Sequence, residues 1–220
     1  DASTKFAPQN YWGFFPGVSA GWVASEESFF KENVPSWFEY LKVRFSWGQT
    51  GKDNIKAWRW MQLYSIDLNK GYGFGSNSGK QVAGLKPDAT ANPNAKWDKT
   101  NKFNLGFDMR FLRNRLTANV DLYYDINSDI LNQNLGSIIG TPIFAGGALS
   151  EVNYGRIDAW GAEFSLNWRD KIGQVNYNIG VNFGFNSNEV KEWPDVNTND
   201  YLSKNIVTEG YGTIFPTWGF

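Results

Sequence analysis

Between Lys102 and Ile126 the chain reads KFNLGFDMRFLRNRLTANVDLYYDI, and apolar and polar residues alternate on both sides of a Leu112–Arg115 turn. Phe103, Leu105, Phe107, Met109 and Phe111 share one side of the first half; Leu116, Ala118, Val120, Leu122, Tyr124 and Ile126 do so in the second. Successive side chains of a strand point to opposite faces, so a period of two predicts a hairpin with one apolar and one polar face. Centring it on Arg113–Asn114 pairs Phe111 with Leu116, Phe107 with Val120 and Phe103 with Tyr124. The same register sets Lys102 opposite Asp125 on the polar face.

Three further segments carry the same signal. WFEYLKVRFSWGQ puts Leu41, Val43, Phe45 and Trp47 opposite Lys42, Arg44 and Ser46. WGAEFSLNWRD puts Ala162, Phe164, Leu166 and Trp168 opposite Glu163, Ser165, Asn167 and Arg169. QVNYNIGVNFGFN puts Val175, Tyr177, Ile179, Val181, Phe183 and Phe185 opposite Gln174, Asn176, Asn178 and Asn182. These last two predict a second hairpin about the DKIG turn at 170–173, with Trp168 opposite Val175, Phe164 opposite Ile179 and Trp160 opposite Phe183. FFPGVSAGW reads as an earlier strand and 57–66 and 71–77 as weaker ones, about eight in all. SEESFFKENVPSWF holds either a short helix, capped by Ser25 with Glu26 and Glu27 in its first turn, or a structured turn. Short turns fall at one end of this up-and-down order. Long polar or Gly-rich stretches at 79–96, 128–156 and 188–220 fall at the other, and the 25–39 connection is the exception.

A soluble sandwich also alternates, so alternation alone does not say whether the apolar face meets a protein core or lipid. Three features favour lipid. The strands run about 11–14 residues against a usual mode of about 5–6, and a tilted membrane strand needs about 9–11. Aromatic residues gather towards both ends of the apolar face, with Phe111, Trp168 and Tyr177 near the short turns and Phe103, Tyr124, Trp160, Phe183 and Phe185 at the other end. Between them lie Leu105, Ala118, Val120, Leu122, Ala162 and Val181, interrupted by Phe107 and Phe164, as two aromatic girdles around an aliphatic band would read. The polar face, finally, is strongly polar and contains Gly106 and Gly180, as a water-facing lumen permits.

Composition narrows the function classes. Net charge is −1, which makes no electrostatic case for nucleic acid or an acidic membrane surface. Without cysteine there is neither disulfide nor thiolate metal site, and without histidine the commonest general base and metal ligand is missing. No apolar run reaches the roughly 18–20 residues of a membrane helix, and DASTKFAPQN does not read as a signal peptide. Asp121 and Asp125 share a strand face about 13 Å apart, too far for a glycosidase pair. GYGFGSNSGK lacks the third glycine of a dinucleotide loop at its spacing. DKIG and DVNTND offer oxygen ligands without EF-hand spacing, which leaves calcium in an outer loop open and predicts no other cofactor. Trp58, Trp60, Trp97, Trp193 and Trp218 lie off the regular faces and read as girdle anchors or loop packing, or as platforms for sugar or peptide side chains.

FFPGVSAGWVASEESFF, WFEYLKVRFSWGQTGKDNI and NPNAKWDKTNKFNLGFDMRFLRNRLTANVDLYYDINSDIL together resemble SusC/RagA-type TonB-dependent outer-membrane transporters of the Bacteroidota. So does VNYGRIDAWGAEFSLNWRDKIGQVNYNIGVNFGFNSNEV, and the likeness covers roughly 11–190. The family's N.G.E strand start reads NYGRIDAWGAE here, from Asn153 to Glu163. The resemblance implies an all-β fold: an antiparallel transmembrane β-barrel segment, about eight strands of a barrel of about 22, with short periplasmic turns and long extracellular loops. It implies that 1–220 is part of the barrel domain in the C-terminal half of a larger protein, whose plug and remaining strands lie elsewhere. Lipid-facing or girdle positions would be Phe103, Phe107, Phe111, Val120, Leu122, Tyr124, Phe164, Trp168, Tyr177 and Phe183. Lumen-facing ones would be Asp108, Arg110, Asn119, Asp121, Asp125, Glu163 and Asn167. The implied partners are a SusD-like surface lipoprotein, TonB through the plug-bearing part, outer-membrane lipid, and an oligosaccharide or peptide substrate. No residue of the chain would do chemistry.

Overall fold

The computed structural model describes residues 1–68, 71, 82–88, 91–132 and 152–193. After a short 3₁₀ turn at Pro8–Asn10 come β1 (Gly17–Val23), a second 3₁₀ turn (Ala24–Glu26), α1 (Ser28–Asn33) and β2 (Phe38–Lys52). Then follow β3 (Tyr64–Asp67), β4 (Gly84–Pro87), β5 (Asp98–Phe111), β6 (Leu116–Ser128), β7 (Leu131–Asn132), β8 (Val152–Asn153), β9 (Arg156–Ile172) and β10 (Val175–Glu192). Six of these form one antiparallel sheet in the order β1-β2-β5-β6-β9-β10, while β3–β4 and β7–β8 are separate two-stranded pairs. The architecture is all-β and suited to a barrel wall.

The first hairpin has the expected register. Phe111 pairs with Leu116, Phe107 with Val120 and Phe103 with Tyr124, and Lys102 reaches Asp125 at 3.7 Å. Its turn holds Leu112, Arg113 and Asn114 at φ 56°, 57° and 60°, and the central Arg113–Asn114 pair has the left-handed conformation that matches strand twist in a tight hairpin. Glu39 offsets the strain this imposes on Arg113. It is the extra residue of a bulge in β2, between Phe38↔Phe111 and Tyr40↔Arg110, and its carboxylate accepts the backbone N–H groups of Arg113 and Asn114.

The second hairpin corrects the expectation. Its turn is Gly173–Gln174, so Asp170–Ile172 belong to β9. Ile179 faces Trp168, Phe183 faces Phe164, and Trp160 faces Ser187 rather than Phe183. Gly173 at φ 61° supplies the conformation a two-residue turn needs, and the strands lengthen to meet there. The slip is by an even number of residues, so every side chain keeps its expected face.

Other expectations shift as well. Of 57–66 just Tyr64–Ile66 is strand, paired with the unforeseen β4, because the chain turns through Ala57–Trp60. Of 71–77 all but Gly71, which is in no strand, lies outside the described residues. Strand β10 runs through 188–192, taken above as loop. The helix exists, but it starts at Ser28 after an extended Glu27 and has no side-chain cap. Ser25 is instead buried in the preceding 3₁₀ turn.

The two short turns, β5–β6 and β9–β10, lie at one end of the sheet together with the longer, helix-bearing β1–β2 connection. The long β2–β5 and β6–β9 connections lie at the other. At that long-loop end sits a small core of Phe6, Ile55, Ala95 and Trp97, with Tyr11, Phe15 and Leu131 packed against it.

Candidate functional site

The pairing registers run all alternating positions into two continuous faces. Phe103, Phe107, Phe111, Val120, Leu122, Tyr124, Phe164, Trp168, Tyr177 and Phe183 share one, with Val18, Ala20 and Trp22 of β1 and Leu41, Val43, Phe45 and Trp47 of β2. Asp108, Arg110, Asn119, Asp121, Asp125, Glu163 and Asn167 share the other. The structure therefore brings each expected set together on a single side of the sheet.

Nothing among the described residues covers the apolar face. Ile179 and Val181 are each 60% exposed, Phe183 63%, Leu166 48% and Phe164 41%. Val18, Trp22, Phe45, Phe103, Leu122, Tyr124 and Phe185 are exposed as well. Burying a large apolar side chain contributes about 1.5–3 kcal/mol, so a dozen left half in water forgo on the order of 10–20 kcal/mol. That is at least as large as the roughly 5–15 kcal/mol by which a whole domain is stable. Among the described residues the face has no apolar neighbour.

Its two ends are aromatic. Near the short turns Phe38 stacks on Phe111 at 4.6 Å, Trp37 on Phe111 at 5.9 Å, and the Trp168 indole donates to the Tyr177 hydroxyl at 3.3 Å. Towards the long loops Tyr124 stacks on Trp160 at 6.3 Å. Just beyond Trp160, the Asp158 carboxylate is buried and accepts two hydrogen bonds from Arg156, at 2.9 and 3.0 Å, and one from Tyr124 at 2.8 Å. Burial pushes Asp158 up, but the Arg156 and Tyr124 hydrogen bonds prevail and hold it below the usual carboxylate range. Nothing in the alternation signals this group, since Asp158 simply interrupts an apolar row.

The polar face is organised around Arg44. Its guanidinium binds Asp108 through two hydrogen bonds, at 2.9 and 3.0 Å, and Asp121 at 3.1 Å. It lies over Gly106, where a Cβ would come within 2.6 Å of the guanidinium carbon. Gly106 thus makes room for an ion network, a more specific role than openness to a lumen. Tyr123 lies over Gly161 in the same way, with its hydroxyl 2.4 Å from where a Cβ would stand. Arg110 covers the Tyr40 ring at 4.6 Å. Glu163 faces Asp121 directly across the strands and has no ion pair among the described residues. With Asn119, Ser165 and Asn182 it lines an open recess of about 340 Å³.

The long loops are tied down by a third group that the sequence pattern did not reveal. Residues 1–13 fold onto Asp53, whose carboxylate accepts from Ser3 at 2.8 Å and pairs with Lys5 at 3.4 Å. The Trp97 indole donates to the Asn10 carbonyl at 3.2 Å, and Phe6 and Phe15 each lie 5.3 Å from the Trp97 ring. Asn153 donates to the carbonyls of Lys96 and Asp129, both at 2.8 Å, and joins the two long connections. Trp97 is therefore loop packing. Trp58 is exposed, and Trp218 and the DVNTND segment lie outside the described residues.

A family model, TonB dependent receptor-like, beta-barrel, matches residues 1–219. The chain belongs to this family. It is 33% identical over 205 residues to TonB-dependent receptor SusC of Bacteroides thetaiotaomicron, covering 91% of this chain and 19% of that protein. It is 29% identical over 196 residues to TonB-dependent receptor P39 of Formosa agariphila, covering 89% and 17%. The RagAB peptide importer in its closed-closed state superposes with a TM-score of 0.73 at 22% identity, over 96% of this chain and 22% of that one. Its open-open state gives 0.70 at 23% identity, over 86% and 19%. At these identities the structural likeness establishes the fold. The chain spans about a fifth of the length of these relatives. It is of the SusC/RagA type, which places it in the bacterial outer membrane. Its relatives are receptors and importers, not enzymes, and among the described residues no three carboxylates are grouped to hold a metal.

Proposed function

We propose that residues 1–220 form wall and extracellular loops of a TonB-dependent importer that moves glycan or peptide fragments across the outer membrane. The observation that carries this reading is the apolar face: six strands wide, aromatic at both ends, and uncovered. In lipid that face is satisfied at once, with Val120, Leu122 and Phe164 near the midplane and the aromatic residues at the two interfaces. A soluble sandwich would need a second sheet over it.

In this reading the opposite face, with Asp108, Arg110, Asn119, Asp121, Asp125, Glu163 and Asn167, lines a watery lumen. The short turns are periplasmic and the long connections extracellular, the usual arrangement of outer-membrane barrels. The outer edges of β1 and β10 have no strand partner among the described residues, and lipid does not tolerate open backbone, so further strands of a barrel of about 22 flank both. A plug domain elsewhere in the receptor fills the lumen and engages TonB. A SusD-like lipoprotein covers the long-loop end and delivers substrate, in keeping with the likeness to SusC and to a peptide importer.

The test has two arms. A nitroxide attached to a cysteine at position 120 of the full-length receptor in outer membranes should be relaxed by oxygen and shielded from a water-soluble nickel complex, with the reverse at position 119. Equal accessibility at the two positions refutes the orientation. Deleting the receptor should abolish uptake of its oligosaccharide or peptide; retained uptake leaves a purely structural barrel as the better reading.

A further inference from the structure

At the short-turn rim the apolar face ends in a pocket of about 330 Å³, lined by Trp37, Leu112 and Trp168 with Ser36, Glu39, Arg113 and Arg115. We propose that this pocket binds the phosphate headgroup of an anionic phospholipid from the leaflet that meets the short turns. The proposal rests on the lipid-facing assignment above and adds a site to it.

The walls continue the apolar band. Trp37 stacks on Phe111, and Trp168 stands on the same face as Val120, so acyl chains leaving the pocket run directly onto that band. Trp37 and Leu112 are themselves 54% and 41% exposed. Indole rings favour this level of a membrane, with an apolar body on one side and water on the other.

The charges select the headgroup. The Arg113 guanidinium has no hydrogen bond or ion pair among the described residues, and that of Arg115 meets Asp170 at a loose 3.5 Å. Glu39 is the one carboxylate in the lining, and it is already engaged by the N–H groups of Arg113 and Asn114. Two arginines beside two indoles therefore line the opening against the single carboxylate of Glu39, which leaves the lining with one net positive charge. A guanidinium fork matches phosphate oxygens, and a phosphodiester carrying acyl chains matches the walls as well. Inorganic phosphate would satisfy the cations and leave the walls wet.

The test uses the full-length receptor, extracted in detergent and stripped of lipid. It is titrated with phosphatidylglycerol or phosphatidylcholine, and bound lipid is counted by native mass spectrometry. Phosphatidylglycerol should be retained in preference, and excess inorganic phosphate should not displace it. In the double variant Arg113→Gln, Arg115→Gln the preference should fall by about fivefold per guanidinium removed. Trp37→Ala, which keeps both cations, should weaken retention of both lipids. Equal retention of the two lipids by the native receptor overturns the proposal. So does an undiminished preference in the double variant, or displacement by inorganic phosphate. Should the double variant fail to assemble, the lipid comparison on the native receptor decides alone. The position-120 nitroxide separates the two readings. A label in lipid with no phosphatidylglycerol preference sinks the pocket by itself, whereas a label in water sinks the orientation and the pocket with it.

Discussion

The long-loop end and the sheet solve the problem of apolar residues in opposite ways. At the loop end Phe6, Ile55, Ala95 and Trp97 are almost wholly buried against one another, as in any protein surrounded by water. A few residues along the same strands, Phe103, Leu122, Phe164 and Ile179 stand exposed with no layer over them. One chain would hardly bury a tryptophan so carefully at one level and strand a dozen apolar side chains at the next if both met the same solvent. On the proposed lipid-facing orientation, the membrane boundary would fall near the ring of Trp47, Phe103, Tyr124 and Trp160. The contrast also says that stability at the loop end comes from packing, and along the sheet from strand pairing and surroundings.

The largest effect should come from Trp97→Ala. Removing a buried tryptophan from a core costs about 3–5 kcal/mol. It would also release the Asn10 carbonyl and leave Phe6 and Phe15 without their shared ring. The expected outcome is loss of amide protection over residues 1–15 and 52–55 in hydrogen exchange, with β5 and β6 protected as before. Uniform deprotection of the sheet would mean that the two regions are not independent. Val120→Arg tests the other side of the comparison. A guanidinium near the bilayer midplane costs about 2–4 kcal/mol, so the heat-modifiable folded species should decline in outer-membrane fractions. Asn119→Arg, one residue along and on the opposite face, should assemble normally. Equal tolerance at both positions would remove the distinction between the faces.

How much of this was legible follows from what each feature depends on. The faces and the first hairpin depend on local alternation and a tight turn, so the register of Lys102 with Asp125 could be read directly. The second hairpin kept its faces but lost its register, because a period of two cannot distinguish slips by an even number of residues. Only the left-handed Gly173 fixes that turn. The Arg44–Asp108–Asp121 network joins three strands, and its members are 64 and 77 residues apart in the chain. The loop-end core is equally non-local, since Phe6 and Trp97 meet across most of the first hundred residues with no periodic pattern around either.

The polar face permits a smaller and sharper comparison within itself. A side chain at Gly106 would strike the Arg44 guanidinium and the Asp121 carboxylate, whereas one at Gly184 would meet nothing within 4 Å. Gly106→Leu should therefore break the ion network and cost about 1–3 kcal/mol, the usual range for overpacking. Gly184→Leu should be close to neutral. Urea unfolding of the two variants in parallel measures the difference, and equal losses would show that Gly106 is not reserved for Arg44.

The smallest effect is a pH dependence confined to the loop end. Asp98 opens β5 where the long connections meet, and one of its oxygens accepts the Leu131 N–H at 3.0 Å. Burial raises it from 3.8 to about 6, opposed by that hydrogen bond and by Lys52 and assisted by Asp129. Since the folded form holds its proton more tightly than the unfolded one, Asp98 favours folding most below about pH 4. The contribution is lost as pH rises through about 6, and it is of the order of 1 kcal/mol at a half-buried site. Asp158 has the opposite sign, because its lowered value contributes stability above about pH 4 that is lost on further acidification. Between about pH 4.5 and 7.5 the two separate. Over that window exchange at Leu131, corrected for the intrinsic rate, should quicken as pH rises. In Asp98→Asn, which retains an acceptor but no charge, it should be flat. A flat response in the unmodified receptor would mean that water reaches Asp98 freely, and that the wet boundary of the loop-end core lies deeper than its packing indicates.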